Sequence, residues 1–143
     1  MRPIQFIGVK IVEATPMTRE AFEAQEGRSV GGDIHGDGYM VTYENGYRSW
    51  SPKAVFDAAY RQIDGMTFGL AIEASKMGKN VARAGWNGKG MYVRFVKNWT
   101  YTDGIDDNRR CNPLFTIKNV DGSVSTWVPS INDVLAEDWQ IVE

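Results

Sequence analysis

Val81-Ala82-Arg83-Ala84-Gly85-Trp86-Asn87-Gly88-Lys89-Gly90-Met91-Tyr92-Val93 is the stretch on which the reading of this chain turns. Two apolar, alternating runs meet through a turn rich in glycine. Asn87-Gly88 predicts a tight hairpin, because both central positions of such a turn need positive φ and these residues tolerate it. Trp86 stands at the lip of that turn. An indole beside an amide and bare glycine backbone can floor a flat, polar ligand. The competing reading is a hairpin with one Trp plugging the core.

Outward from this stretch, Thr67 caps a helix over Phe68 to Met77, stopped by Gly78. Phe68, Ala71, Ile72 and Ser75 line one stripe of it, with Leu70 and Ala74 off the stripe. Strands are predicted at Asn80–Ala84 and Met91–Val96. The polar insert from Asn98 to Arg110 is long enough for a flap or a disordered loop. Leu114–Lys118 is a strand that Asp121-Gly122 turns into Val124–Val128. Pro129–Asp133 reads as a loop or a single helical turn, and Trp139–Val142 as the last strand. Trp139, beside Ile141, is a core residue by its setting; Trp127 can face either way.

Towards the other end, Gln5 to Glu13 alternates as a strand, ended by Ala14-Thr15-Pro16-Met17 because Pro cannot donate to a ladder. Thr18 caps a short helix that fades at Glu26-Gly27. The glycine- and aspartate-rich run from Arg28 to Gly38 is a loop. Asp33, His35 and Asp37 hint at a metal, but alternating positions on such a loop fix no ligand geometry. Tyr39–Tyr43 and Tyr47–Trp50 flank Asn45-Gly46 as a second hairpin. Ser51-Pro52-Lys53 opens a helix with Ser as cap and Pro in its first position. Val55, Phe56, Ala59 and Tyr60 share a face that packs on the hairpin. Gly65 marks a boundary, so residues 1–65 form one unit and 66–143 another. The fold class is α+β: small twisted antiparallel sheets built from hairpins, with one or two helices packed on each half.

Composition narrows the function. The 143 residues are 43% hydrophobic and 24% charged, ordinary for a globular domain. With 16 basic and 18 acidic residues the net charge is −2, and no basic tract exists. That argues against DNA or RNA held by phosphate contacts. Cys111 is the only cysteine and His35 the only histidine, which removes intrachain disulfides, thiolate clusters and His-pair metal sites and argues against a catalytic triad. No apolar run spans a membrane and no signal peptide opens the chain. The expectation is a cytoplasmic protein without a cofactor.

Met66-Thr67-Phe68-Gly69 and Gly78 through Tyr92 resemble the opening of the phage Thoeris anti-defence proteins of the second type. Asp121-Gly122, Trp127, Ser130 and Asp133 through Val142 are similar to the end of the same family. The resemblance covers Met66 to Val142. The preceding half resembles an extension common in small phage proteins, with no activity attached. The resemblance implies a sponge. Such proteins bind cyclic ADP-ribose isomers made by bacterial TIR-domain enzymes without cleaving them, and some also take cyclic dinucleotides. They assemble as homo-oligomers, tetramers or dimers, with ligand held where protomers meet. By motif position it implies Phe68, Trp86, Asn87, Trp127, Ser130 and Asp133 as ligand contacts. Asn132 stands where the family shows threonine or a similar residue, Pro129 where it shows alanine, and the insert after Val96 is longer.

The residue types suit that ligand. Trp86 and Trp127 offer two faces to sandwich a base. Asn87 offers an amide, Asp133 can accept two ribose hydroxyls, and Ser130 can donate to phosphate. Asn132 is a further candidate contact. Arg83 or Lys89 can meet the pyrophosphate, helped by the main chain at Gly88 and Gly90. Rival readings use the same residues otherwise. Asp133 or Glu137 with a metal would hydrolyse a nucleotide, and Asp106-Asp107 invites a similar role. Trp99 and Tyr101 can be a lid or plain packing, and Arg109-Arg110 a phosphate clamp or a solvated pair. An adaptor would keep every Trp in its core.

Overall fold

The computed structural model describes residues 1–102, 104–105 and 109–143. Its chain divides into two compact units, Met1–Arg61 and Gln62–Glu143. The class is α+β with antiparallel sheets throughout.

The first unit is a three-stranded sheet in the order β1-β2-β3, with β1 at Glu13–Pro16, β2 at Gly38–Thr42 and β3 at Arg48–Pro52. Helix α1, Arg19–Glu26, starts where Thr18 accepts from the Ala21 amide and ends at Gly27 with φ 67°. Its Phe22 is fully buried, as are Val41 of β2 and, nearly so, Trp50 of β3. Gly38 is required for space, since a Cβ there would sit 2.5 Å from the Trp50 ring. Arg19, only 7% exposed, gathers the following loop. It donates to the carbonyls of Gly32 and Ile34 at 2.6 and 2.9 Å, to that of Val30, and to Glu23 at 2.8 Å.

Three expectations are corrected here. Residues 1–12 carry no secondary structure, and the strand begins only at Glu13, because β2 ends at its partner Thr42 and offers nothing further to pair with. Pro16 does not end the strand but closes it, opposite Tyr39 on an edge where no ladder donor is needed. Ser51 lies within β3, so α2, Lys53–Ala59, has Pro52 at its cap with no side-chain hydrogen bond. That helix also stops at Ala59, short of Gly65. It packs through Phe56 on Tyr39 at 4.3 Å and on Tyr60 at 4.7 Å, while Val55 is exposed.

The second unit is a five-stranded sheet in the order β10-β4-β5-β8-β9. Its strands are β4 Asn80–Arg83, β5 Tyr92–Val96, β8 Leu114–Lys118, β9 Val124–Thr126 and β10 Trp139–Val142. Helix α3, Phe68–Lys76, is capped by Thr67 as predicted and packs on β10, β4 and β5. Ala74 joins Ala71 and Ser75 in its buried face, so the small residues set the stripe. Met66, Val81, Val93 and Trp139 complete the core.

The two edges of this sheet differ. On the β10 side, Met66 and Trp139 exchange hydrogen bonds at 2.8 and 3.1 Å, and the Ile141 amide donates to Ile63 at 2.8 Å. On the β9 side no strand pairs among the described residues, and all three β9 residues are exposed. Among the described parts of the insert, β6 Thr100–Tyr101 pairs with β7 Arg109–Arg110. Asp106-Asp107 lies outside the described residues. Among the described residues no helix is long and apolar enough to cross a membrane.

Candidate functional site

Trp139 is the centre of an aromatic cluster, and the sequence places it correctly in the core, 1% exposed. Phe68 at the start of α3, Trp86 after β4 and Trp127 after β9 surround it. Their ring centroids lie 5.7, 5.4 and 6.0 Å from that of Trp139, and both other indoles meet it edge to face. Such tilted contacts are the favoured aromatic geometry. All three surrounding rings are half-buried, so each keeps part of its surface outside.

Trp86 and Trp127 also touch each other, with centroids 6.3 Å apart and planes at 65°. This corrects the sandwich. A base between two parallel rings needs about 7 Å and parallel faces, and these indoles fill the gap themselves. What they offer is one continuous aromatic surface.

That surface is fixed by a carboxylate. Helix α4, Ile131–Leu135, begins with a capping box in which Ser130 and Asp133 bond reciprocally. Asp133 Oδ2 accepts from the Ser130 amide and hydroxyl, both at 2.9 Å. Its Oδ1 accepts from Arg83 Nη1 at 3.1 Å and from Trp86 Nε1 at 3.4 Å. Its main-chain carbonyl accepts from Trp139 Nε1 at 2.9 Å. Arg83 Nε donates to Asp138 Oδ1 at 2.9 Å, and Asp138 Oδ2 accepts from the Gly85 amide at 2.9 Å. Burial opposes ionisation of Asp133, but the donors from Ser130, Arg83 and Trp86 outweigh it and hold its pKa below the ordinary value. Arg83 chiefly, against burial, does the same for Asp138.

Several assigned roles change. Asp133 has both oxygens filled and no acceptor left for ribose hydroxyls or for a substrate proton. Ser130 serves the helix cap, and Arg83 is neutralised by two carboxylates rather than waiting for a pyrophosphate. The tight Asn87-Gly88 hairpin is absent: residues 84–91 form a longer connection, with positive φ at Gly90 instead. Gly88 is needed for room, since a Cβ would come within 2.5 Å of Val120 and 2.3 Å of Met91. Asn87, Lys89 and Asn132 are exposed and bond to none of the described residues. Asn87 and Lys89 stand in the connection after β4 and Asn132 in the first turn of α4, the two segments that the bond from Trp86 to Asp133 ties together.

The capping signature Ser130-x-x-Asp133 could have revealed the cap. Nothing local could have revealed Arg83 as the partner of Asp133 and Asp138, 50 and 55 positions away.

Elsewhere, Trp99 Nε1 donates to the Asn112 carbonyl at 3.0 Å, so the ribbon engages that indole. His35 lies 3.2 Å from Glu20, and no three metal-type side chains gather among the described residues. Two hollows lie in the first unit. One of about 330 Å³ is lined by Thr18, Asp37, Tyr39 and Lys53 among others. One of about 630 Å³ lies by Lys10, Tyr43 and Tyr47. Neither holds a comparable set of fixed side chains, and the aromatic surface remains the better candidate.

Comparison with known proteins converges on the same half. The sequence pattern of the Thoeris anti-defense 2-like domain matches residues 66–142. Thoeris anti-defense 2 of Bacillus phage SP01 is 42% identical over 86 residues, covering 54% of this chain and 94% of that protein.

Proposed function

This chain belongs to the Thoeris anti-defense 2-like family, a phage anti-defence family, and on that premise we propose that it sequesters a TIR-derived cyclic ADP-ribose without cleaving it. The observation that carries the reading is the aromatic surface of Phe68, Trp86 and Trp127, locked in place by a saturated Asp133. A pre-set surface loses little freedom on binding. Its polar rim is Asn87, Lys89 and Asn132, the side chains left available. Lys89, with the amides near Gly88 and Gly90, takes the pyrophosphate role that Arg83 cannot.

Magnitudes favour a shared site. Stacking contributes roughly 1–3 kcal/mol per base. Nanomolar capture requires about 12 kcal/mol. The remainder has to come from polar contacts and from enclosing most of the ligand. An open aromatic surface does not enclose a dinucleotide, so a second copy supplies the other wall in a homodimer or homotetramer. In this reading the ligand module is residues 66–143, the protein works in the cytoplasm of the infected cell, and cyclic dinucleotides are further ligands to test. Asp133, with both oxygens occupied, does not serve as the base of a hydrolase.

Mixing the protein with a TIR-generated cyclic ADP-ribose isomer, removing unbound ligand and heating should release intact ligand by mass spectrometry. Linear product, or nothing retained, sinks the proposal.

A further inference from the structure

Residues 1–11 are an exposed arm with the pattern of a strand and no strand partner among the described residues. Ile4, Phe6 and Ile7 are 76, 89 and 99% exposed. The arm leaves the first sheet where β2 ends, anchored by Lys10 Nζ over the Tyr43 ring at 4.5 Å. A free apolar strand of this kind is a template for pairing.

The bare β9 edge is its counterpart. Trp127 donates to Phe115, and Ser123 accepts from Asn119, so odd-numbered positions face β8. By alternation Val124 and Thr126 turn their main-chain groups outward. The edge has no lysine, proline or bulge to block pairing. Val124, Val128, Ile131 and Leu135 around it are 65, 84, 69 and 73% exposed. Charge completes the match. The arm carries Arg2 and Lys10 and no acid, whereas residues 119–143 carry no lysine or arginine and, besides Asp133 and Asp138, which pair with Arg83, hold Asp121, Glu137 and Glu143.

We infer that the arm of one copy adds as a strand to the β9 edge of a second copy. A reciprocal exchange pairs the arm and edge of each copy and closes on a two-fold axis. It uses strand addition, with main-chain bonds for strength and apolar side chains for fit. The inference concerns assembly without nucleotide, so it stands or falls separately from ligand capture.

The test uses full-length chains and sedimentation. Phe6→Asp with Ile7→Asp sets like charge against the acidic edge. Thr126→Pro removes one outward N–H without touching a bond to β8. Each variant should raise the self-association Kd at least tenfold, with an unchanged circular dichroism spectrum. Val124→Lys replaces Thr126→Pro should the proline variant unfold. Mixing the arm variant with the edge variant should restore a heterodimer, since one intact arm meets one intact edge. A monomeric wild-type chain, association untouched by the arm variant, or no rescue on mixing overturns the inference. Association weakened by the arm variant but untouched by the edge variant identifies arm-to-arm pairing and likewise overturns the inference.

Discussion

Each unit of this molecule is organised by one nearly buried charge, and the two charges do opposite things. Arg19 in the first unit gathers the carbonyls of Val30, Gly32 and Ile34, so its work ends in the backbone of a loop. Asp133 in the second unit gathers side chains, and one of them, Trp86, reaches the surface. A buried cation among carbonyls stabilises shape. A buried anion among an arginine, an indole and a cap fixes the orientation of a ring that reaches the surface. Burial and saturation alone therefore do not separate scaffold from site; what the partners present to solvent does.

The sharpest way to break this comparison is Asp133→Ala. It removes the cap, strands Trp86 Nε1 and leaves Arg83 with Asp138 alone, and should cost the second unit about 3 kcal/mol. Urea denaturation measures the cost, and nucleotide Kd should rise with it. Next, Arg19→Met leaves three carbonyls without their donor, costing the first unit about 2 kcal/mol. Nucleotide Kd measured by calorimetry should stay at the wild-type value; a weakened Kd would erase the distinction between the two hubs. Trp86→Ala and Trp127→Ala each remove a stacking face worth roughly 1–3 kcal/mol, about 5- to 150-fold in Kd. Circular dichroism should still report a folded chain, and unfolding would return both rings to a purely structural role. Ser130→Ala isolates the cap, about 1 kcal/mol of stability, with a smaller change in Kd than either Trp variant.

Acid gives the mildest perturbation. Asp133 and Asp138 both have lowered pKa values in the folded state. Their contribution is complete above the unfolded value of about 4 and disappears as pH falls through it towards the folded values. The denaturation midpoint of the second unit should be flat from neutral pH to about 5 and drop below 4. Asp133→Asn should shallow that drop.

The local parts of this fold were legible in the sequence. Thr18 and Thr67 each announce a helix start, and Asp121-Gly122 a turn with Gly122 at φ 84°. The alternation of Leu114–Lys118 is a strand, because a strand waits on each side of it. The same alternation at Gln5–Val12 misleads, since period-two patterning reports the capacity to pair and not the presence of a partner. Ser51-Pro52 looks like a helix start and is claimed by a ladder with β2. At the candidate site, Phe68, Trp86, Trp127, Ser130 and Asp133 were singled out from the sequence, but, the Ser130-to-Asp133 cap aside, their contacts with one another were not readable there. Arg83, Ser130 and Asp133 look like ligand contacts from their chemistry, yet each is consumed by another, across up to 50 positions of chain. Local pattern cannot announce that a polar group is already spoken for.

The short cover over β10, where Ile63 and Met66 occupy its outer hydrogen-bonding groups, also limits how copies can accumulate. A five-stranded layer sealed on one flank has a valence of one for further strands. Edge-to-edge stacking of this layer needs two open flanks and stops after a single step, which leaves arm-to-edge addition as the one strand contact that has to close on itself.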